Sequence, residues 1–353
     1  LANTIINVRD YGAVGNGSHD DTQNINDALA AVPANGGTIY FPDSVYVVTG
    51  SLNISRHGTR IVGAGDYATV FSFNPSSPGL PLFDFTKTGE VLYHCGIKNV
   101  KFQGLGSYQK IGILATDTSE LSISDLSMAA WTGNSSIGIQ LRGRELTTIR
   151  RTTVFADRPI SIENNPNSTI DCDHLHMQDM YLVPLVSTES CVHIEPNINV
   201  TNLTIDGTSA FCLGKHGIYW DDTEAPIGTS LHMSLRNIRR EQTQDAEGYT
   251  IFINHYVQNI LCENIGADNQ AKGFYFRNCR HVTLQNCFYD GTTQTTEAPE
   301  GLNLDESCQS ISLQNCFWQK TSTRSIGNLE SVSSTRKNTS QQFPANEFLD
   351  VAV

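Results

Sequence analysis

Residues 273–291 read GFYFRNCRHVTLQNCFYDG, and residues 301–319 read GLNLDESCQSISLQNCFWQ. Both stretches run from a glycine through two apolar residues separated by one position, a polar turn and a second alternating strand to Gln-Asn-Cys-Phe. With the small residue as origin, the pattern recurs at Gly112, Gly138, Pro159, Cys191, Gly217, Thr250, Gly273 and Gly301, at spacings of 26, 21, 32, 26, 33, 23 and 28 residues. A period in this range marks stacked units that cannot bury their apolar faces alone and join into one core.

Strand alternation assigns the faces. The position after the origin reads Ile113, Ile139, Ile160, Val192, Ile218, Ile251, Phe274, Leu302; two further on stand Ala115, Leu141, Ile162, Ile194, Trp220, Ile253, Phe276, Leu304. Both columns point inward. The second strands agree through Leu121/Ile123, Leu203/Ile205, Met233/Leu235, Val282/Leu284 and Ile311/Leu313. After them Asn237, Asn264, Asn286 and Asn315 fall in register at a turn, where stacked amides can satisfy backbone groups.

The N-terminal stretch DYGAVGNGSHDDTQNINDALA, residues 10–30, differs. Gly12, Gly15 and Gly17 suit tight turns, Asp20, Asp21 or Thr22 can cap a helix, and Ile25, Leu29 and Val32 give that helix one apolar face. Its Asp-aromatic-Gly-Ala turn, Gly-x-Gly, Asp-Asp-Thr and short helix resemble the opening of the pectate-lyase-like right-handed β-helix superfamily. The resemblance covers about the first fifty residues and implies an all-β, right-handed parallel β-helix with a short N-terminal capping helix. The chain then divides into a cap and first strands at 1–50, a β-helix at 51–330 and a C-terminal tail at 331–353.

A net charge of −13 argues against nucleic acid or an anionic membrane as partner. No segment approaches a membrane span, and nine cysteines without framework spacing read as free thiols in the core. No pair of cysteines has zinc-site spacing, and the residues call for no metal or cofactor.

Two columns face outward. One reads Leu114, Gln140, Ser161, His193, Tyr219, Phe252, Tyr275, Asn303; the next reads Thr116, Arg142, Glu163, Glu195, Asp221, Asn254, Arg277, Asp305. Neighbouring coils stack about 4.8 Å apart, so Glu163, Glu195 and Asp221 on consecutive coils would repel one another without a use. The chain also lengthens there: Ile162 to Leu175 spans 13 residues, Ile194 to Leu203 9 and Trp220 to Met233 13, against 6 from Phe276 to Val282. These inserts add Asp171, Asp173, His174, Asp222 and Glu224, while Tyr219, Phe252 and Tyr275 offer rings for sugars.

Glycoside hydrolysis needs one protonated and one ionised carboxyl, about 5–5.5 Å apart for retention and about 6.5–9.5 Å for inversion, and a ladder offers both spacings. Crowding is expected to raise one pKa and so produce the acid. Elimination from a uronic-acid polysaccharide is the rival reading, with His193, Tyr219 or Tyr275 as base and Arg142 or Arg277 as the cation. A non-catalytic glycan-binding fibre is the third. Within the superfamily the chain looks most like bacteriophage tailspike depolymerases. That resemblance implies a homotrimeric endoglycosidase of a phage tail, or an extracellular one, acting on a bacterial surface polysaccharide such as O-antigen or capsule. Its acidic catalytic residues carry over to Glu195, Asp221 and Asp222, with Glu163 as alternative partner. His193, Tyr219, Tyr275, Phe252, Glu224 and Arg277 are the expected substrate-binding residues.

Overall fold

The structure is a computed structural model that describes residues 4–133, 135–165, 172–211, 214–222, 230–241, 248–268, 272–290, 301–305, 307–319, 326–327 and 338–340. It is a parallel β-solenoid of about 9 turns. Two compact units divide the chain, Leu1–Tyr181 and Leu182–Val353.

In the first unit the two N-terminal aspartates share the work. Asp20 Oδ1 accepts the backbone N–H of Thr22 at 3.1 Å and so tethers the start of the helix Thr22–Ala30. Asp21 instead turns back to accept the N–H groups of Val14 and Gly15, at 2.6 and 2.9 Å, which fastens the glycine loop beneath the helix. Gly12, Gly15 and Gly17 all lie at positive φ, and a Cβ on Gly15 would stand 2.8 Å from that of Ser44. Ile25 and Leu29 form the buried helix face, and Val32 is buried two residues past the end of the helix. Further along, Ile113 pairs with Ile139 and Ala115 with Leu141 in parallel register, and Ile160 and Ile162 stack on the next turn. Phe71, Phe83, Phe102 and Trp131 fill the interior beside them, the first two rings meeting edge to face at 5.0 Å.

The second unit has three strands per turn. Ser190–Ile194, His216–Asp221, Tyr249–Asn254, Lys272–Arg277 and Leu302–Leu304 form the first sheet. Val200–Asp206, Ser230–Arg236, Val257–Glu263, Arg280–Gln285 and Gln309–Gln314 form the second. A short third sheet begins with Ser209–Phe211 and Arg239–Glu241 and ends with Phe317–Gln319. Every inward residue expected from alternation is buried here, Ile194, Trp220, Ile253 and Phe276 completely. Burying one such side chain stabilises the fold by about 1.5–3 kcal/mol, which explains why the alternation holds turn after turn.

Between the second and third sheets, Asn237, Asn264, Asn286 and Asn315 adopt φ of 52°, 54°, 52° and 51°. Asn tolerates this left-handed bend better than other residues with a Cβ. The amide of Asn264 donates to Oδ1 of Asn237 at 3.1 Å, and that of Asn237 donates to Asp206 at 2.7 Å, so the asparagine ladder is present. Cys262, Cys279, Cys287, Cys308 and Cys316 are buried free thiols. The stretch assigned to the tail contains one described strand, Asn338–Ser340, which continues the second sheet by pairing with Ser312–Gln314.

Candidate functional site

Register places the outward columns of the second unit as alternation requires. His193 pairs with Tyr219, Tyr219 with Phe252, Phe252 with Tyr275 and Tyr275 with Asn303. Two residues on along the strands, Asp221 pairs with Asn254 and Asn254 with Arg277. Glu195 follows Ile194, whose partner is Trp220, so it stands beside Asp221 on the neighbouring turn.

Each carboxylate has an aromatic companion on its own strand. Asp221 Oδ2 accepts the hydroxyl of Tyr219 at 3.1 Å, and its Oδ1 accepts the amide of Asn254 at 2.6 Å. Asn254 is held in turn by the amide of Asn278, which donates to its Oδ1 at 3.3 Å. Both oxygens of Asp221 therefore accept from donors, which fixes the orientation of the carboxylate. Burial, then the charge and hydrogen bond of Asp221 and the charge of Glu195, push the Tyr219 phenol up to about 12, so it remains a donor. On the neighbouring turn, Glu195 Oε1 lies 3.6 Å from His193 Nε2, and the rings of His193 and Tyr219 are 5.2 Å apart. Arg277 Nε lies 3.8 Å from Asp305, which takes up part of the positive charge expected for substrate.

Three expectations need correction. Glu163, in the first unit, is not a crowded acid. Burial alone would raise it, but hydrogen bonds from Gln140, Arg142 and Ser161 and the charge of Arg142 outweigh burial and hold its carboxyl below the usual range. Arg142 grips it through Nε and Nη2, both at 2.9 Å, because the two residues are register partners.

Asp222 lies inside, not on the outward face. Its side chain is 1% exposed and hydrogen-bonds to His255 Nδ1, while its Oδ1 accepts the N–H of Asn197 at 2.7 Å. Asp222 N–H donates to Asn254 O at 2.8 Å, and its side chain falls on the face opposite that of Asp221, as strand alternation requires. His255 Nε2 is 3.0 Å from Ser230 Oγ, which accepts the N–H of Val200 at 2.9 Å, and the imidazole stacks on Trp220 at 4.0 Å. Asp, His and Ser thus stand in line, yet all three are buried and tie three segments together.

The rings do not lie flat as platforms. Phe252 is stacked between Tyr219, at 5.4 Å and 27°, and Tyr275, at 4.5 Å and 5°, and the imidazole of His216 stacks on Tyr219 at 4.8 Å. The spacing between turns matches ring stacking, so neighbouring rings cover one another's faces and leave edges and hydroxyls outward.

Asp171 and Glu224 lie outside the described residues. Asp173 is bound to its neighbour His174, 2.8 Å from Oδ1 to Nδ1, in the first unit. Asn254 stands in the outward column that alternation gives, but Asn278 and His255 carry no comparable signal in the sequence pattern. The weaker sign for His255 is its place directly after a strand in which Ile253 faces inward, where a buried polar group needs partners.

The parallel solenoid is the fold implied by the N-terminal resemblance to pectate-lyase-like β-helix proteins, and its outer sheet carries polar side chains and carboxylates. Residues 5–102 match the family described as Rhamnogalacturonase A/epimerase, pectate lyase-like. The mannuronan C5-epimerase AlgE2 of Azotobacter vinelandii is 44% identical over 71 residues, 18% of this chain and 7% of that protein. The chain spans under a tenth of the length of the curated relatives it matches. Among solved structures, the DFA-IIIase of Arthrobacter chlorophenolicus A6 superposes with a TM-score of 0.66 at 10% identity, covering 95% of this chain and 94% of that one. The tailspike protein 3 of bacteriophage CBA120 superposes with a TM-score of 0.54 at 10% identity, covering 97% and 62%. At such identities the superpositions speak to fold.

Proposed function

We propose that this chain is a polysaccharide depolymerase that hydrolyses a bacterial surface glycan, with Glu195 and Asp221 as the reacting pair. The observation that carries this reading is the geometry at Asp221, whose two oxygens accept Tyr219 and Asn254 on the outward face while Glu195 stands on the neighbouring turn. Turns stacked about 4.8 Å apart fit the short carboxyl separation of retaining glycosidases. Asp221, oriented by Tyr219 and Asn254, serves as nucleophile. Glu195 serves as acid and then base, with His193 beside it to relay the proton. The sequence likeness to a mannuronan C5-epimerase supports a glycan as substrate, and a homotrimer of the virion or the extracellular space is the setting that the tailspike resemblance of the sequence implies.

Incubation with a panel of bacterial O-antigen and capsular polysaccharides tests this. New reducing ends without ultraviolet absorbance of an unsaturated uronate are the expected result, with sedimentation at trimer mass. Absorbance appearing with the reducing ends would mean elimination, for which His193 is the base the geometry offers. No cleavage of any glycan that binds would leave a binding fibre.

A further inference from the structure

The second sheet of the second unit carries a groove of about 420 Å³ that the acidic face does not use. It follows four turns, because Thr204, Ser234, Leu261 and Thr283 are register partners along it. One wall is a column of left-handed residues, Asn202, His232, Asn259 and His281, with φ of 56°, 57°, 60° and 53°. This bend opens each strand into a shallow angle, and the stacked angles make the groove. Asn alone would satisfy such a bend, as it does on alternate turns. On the other two turns the chain places exposed imidazoles.

The lining sets apolar Met233, Ile260 and Leu261 among polar side chains. It holds hydroxyls, amides, the two imidazoles and Arg236, and no carboxylate, in a chain of net charge −13. Glu263 is the acid held against Arg236, at 3.3 Å, on the side away from the imidazole column. His232 and His281 are two turns apart, about 9–10 Å at the usual strand spacing, so they address groups that repeat along a chain. The volume falls in the usual range for a ligand site of about 300–1,000 Å³.

We propose that this groove binds an acidic oligosaccharide, with carboxylates recurring along it, at a site separate from Glu195 and Asp221. The imidazoles and Arg236 take the carboxylates, and Thr204, Ser234 and Thr283 take ring hydroxyls. The site requires no bond cleavage and does not depend on the reaction proposed for the other face.

Calorimetric titration of the full chain with trigalacturonate and with neutral galactotriose tests it. Trigalacturonate is expected to saturate with a Kd below about 1 mM, and galactotriose to bind at least about tenfold more weakly. His232→Asn with His281→Asn keeps the bend, since Asn holds it at positions 202 and 259, and is expected to weaken trigalacturonate at least about tenfold with unchanged thermal midpoint. Asp221→Asn is expected to leave this binding as it was. The proposal falls if trigalacturonate does not saturate, if both sugars bind equally, or if the double variant binds normally. It also falls if the double variant lowers the sedimenting mass, for then the groove is an interface between copies of this chain.

Discussion

Asp222 and His255, 33 residues apart in the chain, meet through a carboxylate and an imidazole Nδ1, with each side chain 1% exposed. Burial pulls the His255 pKa down against the pull of the Asp222 charge, so the ring is neutral, gives its Nδ1 proton to Asp222 and accepts Ser230 at Nε2. The result is a buried brace for the turns at Asn197, Asp222 and His255. Its consequences concern stability.

Asp222→Asn places an amide where both carboxylate oxygens faced donors, Asn197 N–H and His255 Nδ1–H, so one donor loses its acceptor. Leaving a buried donor without its acceptor is expected to cost about 1–3 kcal/mol in urea unfolding. Any loss of glycan cleavage is expected to track the unfolded fraction and to return at lower temperature. A folded, inactive variant with unchanged midpoint would mean that Asp222 takes part in the chemistry.

Glu195→Gln and Asp221→Asn are expected to lower cleavage by at least about a hundredfold each, the scale for losing general acid-base or nucleophilic function. Their urea midpoints are expected to shift by about 1 kcal/mol or less, because both side chains lie on the outward face. Glu163→Gln, which releases Arg142 in the first unit, is expected to keep turnover within about tenfold. Equal losses from all three would return Glu163 to the reacting set.

Acid is expected to destabilise the fold through His216. Burial, joined by the charges of Arg240, Lys215, His193 and Lys272, lowers its pKa to about 3, and its Nδ1 accepts the N–H of Tyr249 at 3.0 Å. The unfolded chain binds this proton near pH 6.5, so the neutral ring stabilises the fold fully above about that pH and progressively less as pH falls toward 3. The loss from this group reaches roughly 1.4 kcal/mol by about pH 5.5. His216→Gln, which can still accept Tyr249, is expected to flatten that part of the stability profile; a slope equal to the parent's would assign the effect elsewhere.

At Asn264, φ of 54° separates two substitutions that remove the same amide. Asn264→Gly is expected to lose only the ladder hydrogen bond to Asn237, about 1 kcal/mol, whereas Asn264→Ala adds a left-handed penalty of about 1–2 kcal/mol. Thermal unfolding that ranks Ala above Gly would overturn the structural role of the ladder.

Alternation was enough to place Ile194, Trp220, Ile253 and Phe276 inside and Tyr219, Phe252 and Tyr275 outside, because the side-chain period of a strand is two and each turn repeats it. The recurring Asn at 237, 264, 286 and 315 was legible for a similar local reason, since few residues accept that bend. What the alternation could not carry is which groups of a neighbouring turn each side chain meets. Asp221 and Asp222 are adjacent and chemically alike and face opposite sides, but that Asp221 meets Tyr219 and Asn254 while Asp222 is buried on His255 is decided by partners from the next turn of the solenoid. The same holds for Glu163, whose charge is answered by Arg142 from the preceding turn, and for the rings, whose faces are closed by stacking across turns. Periodicity is a property of the strand and is written in the sequence; pairing across turns depends on register and loop path, which only the folded chain decides.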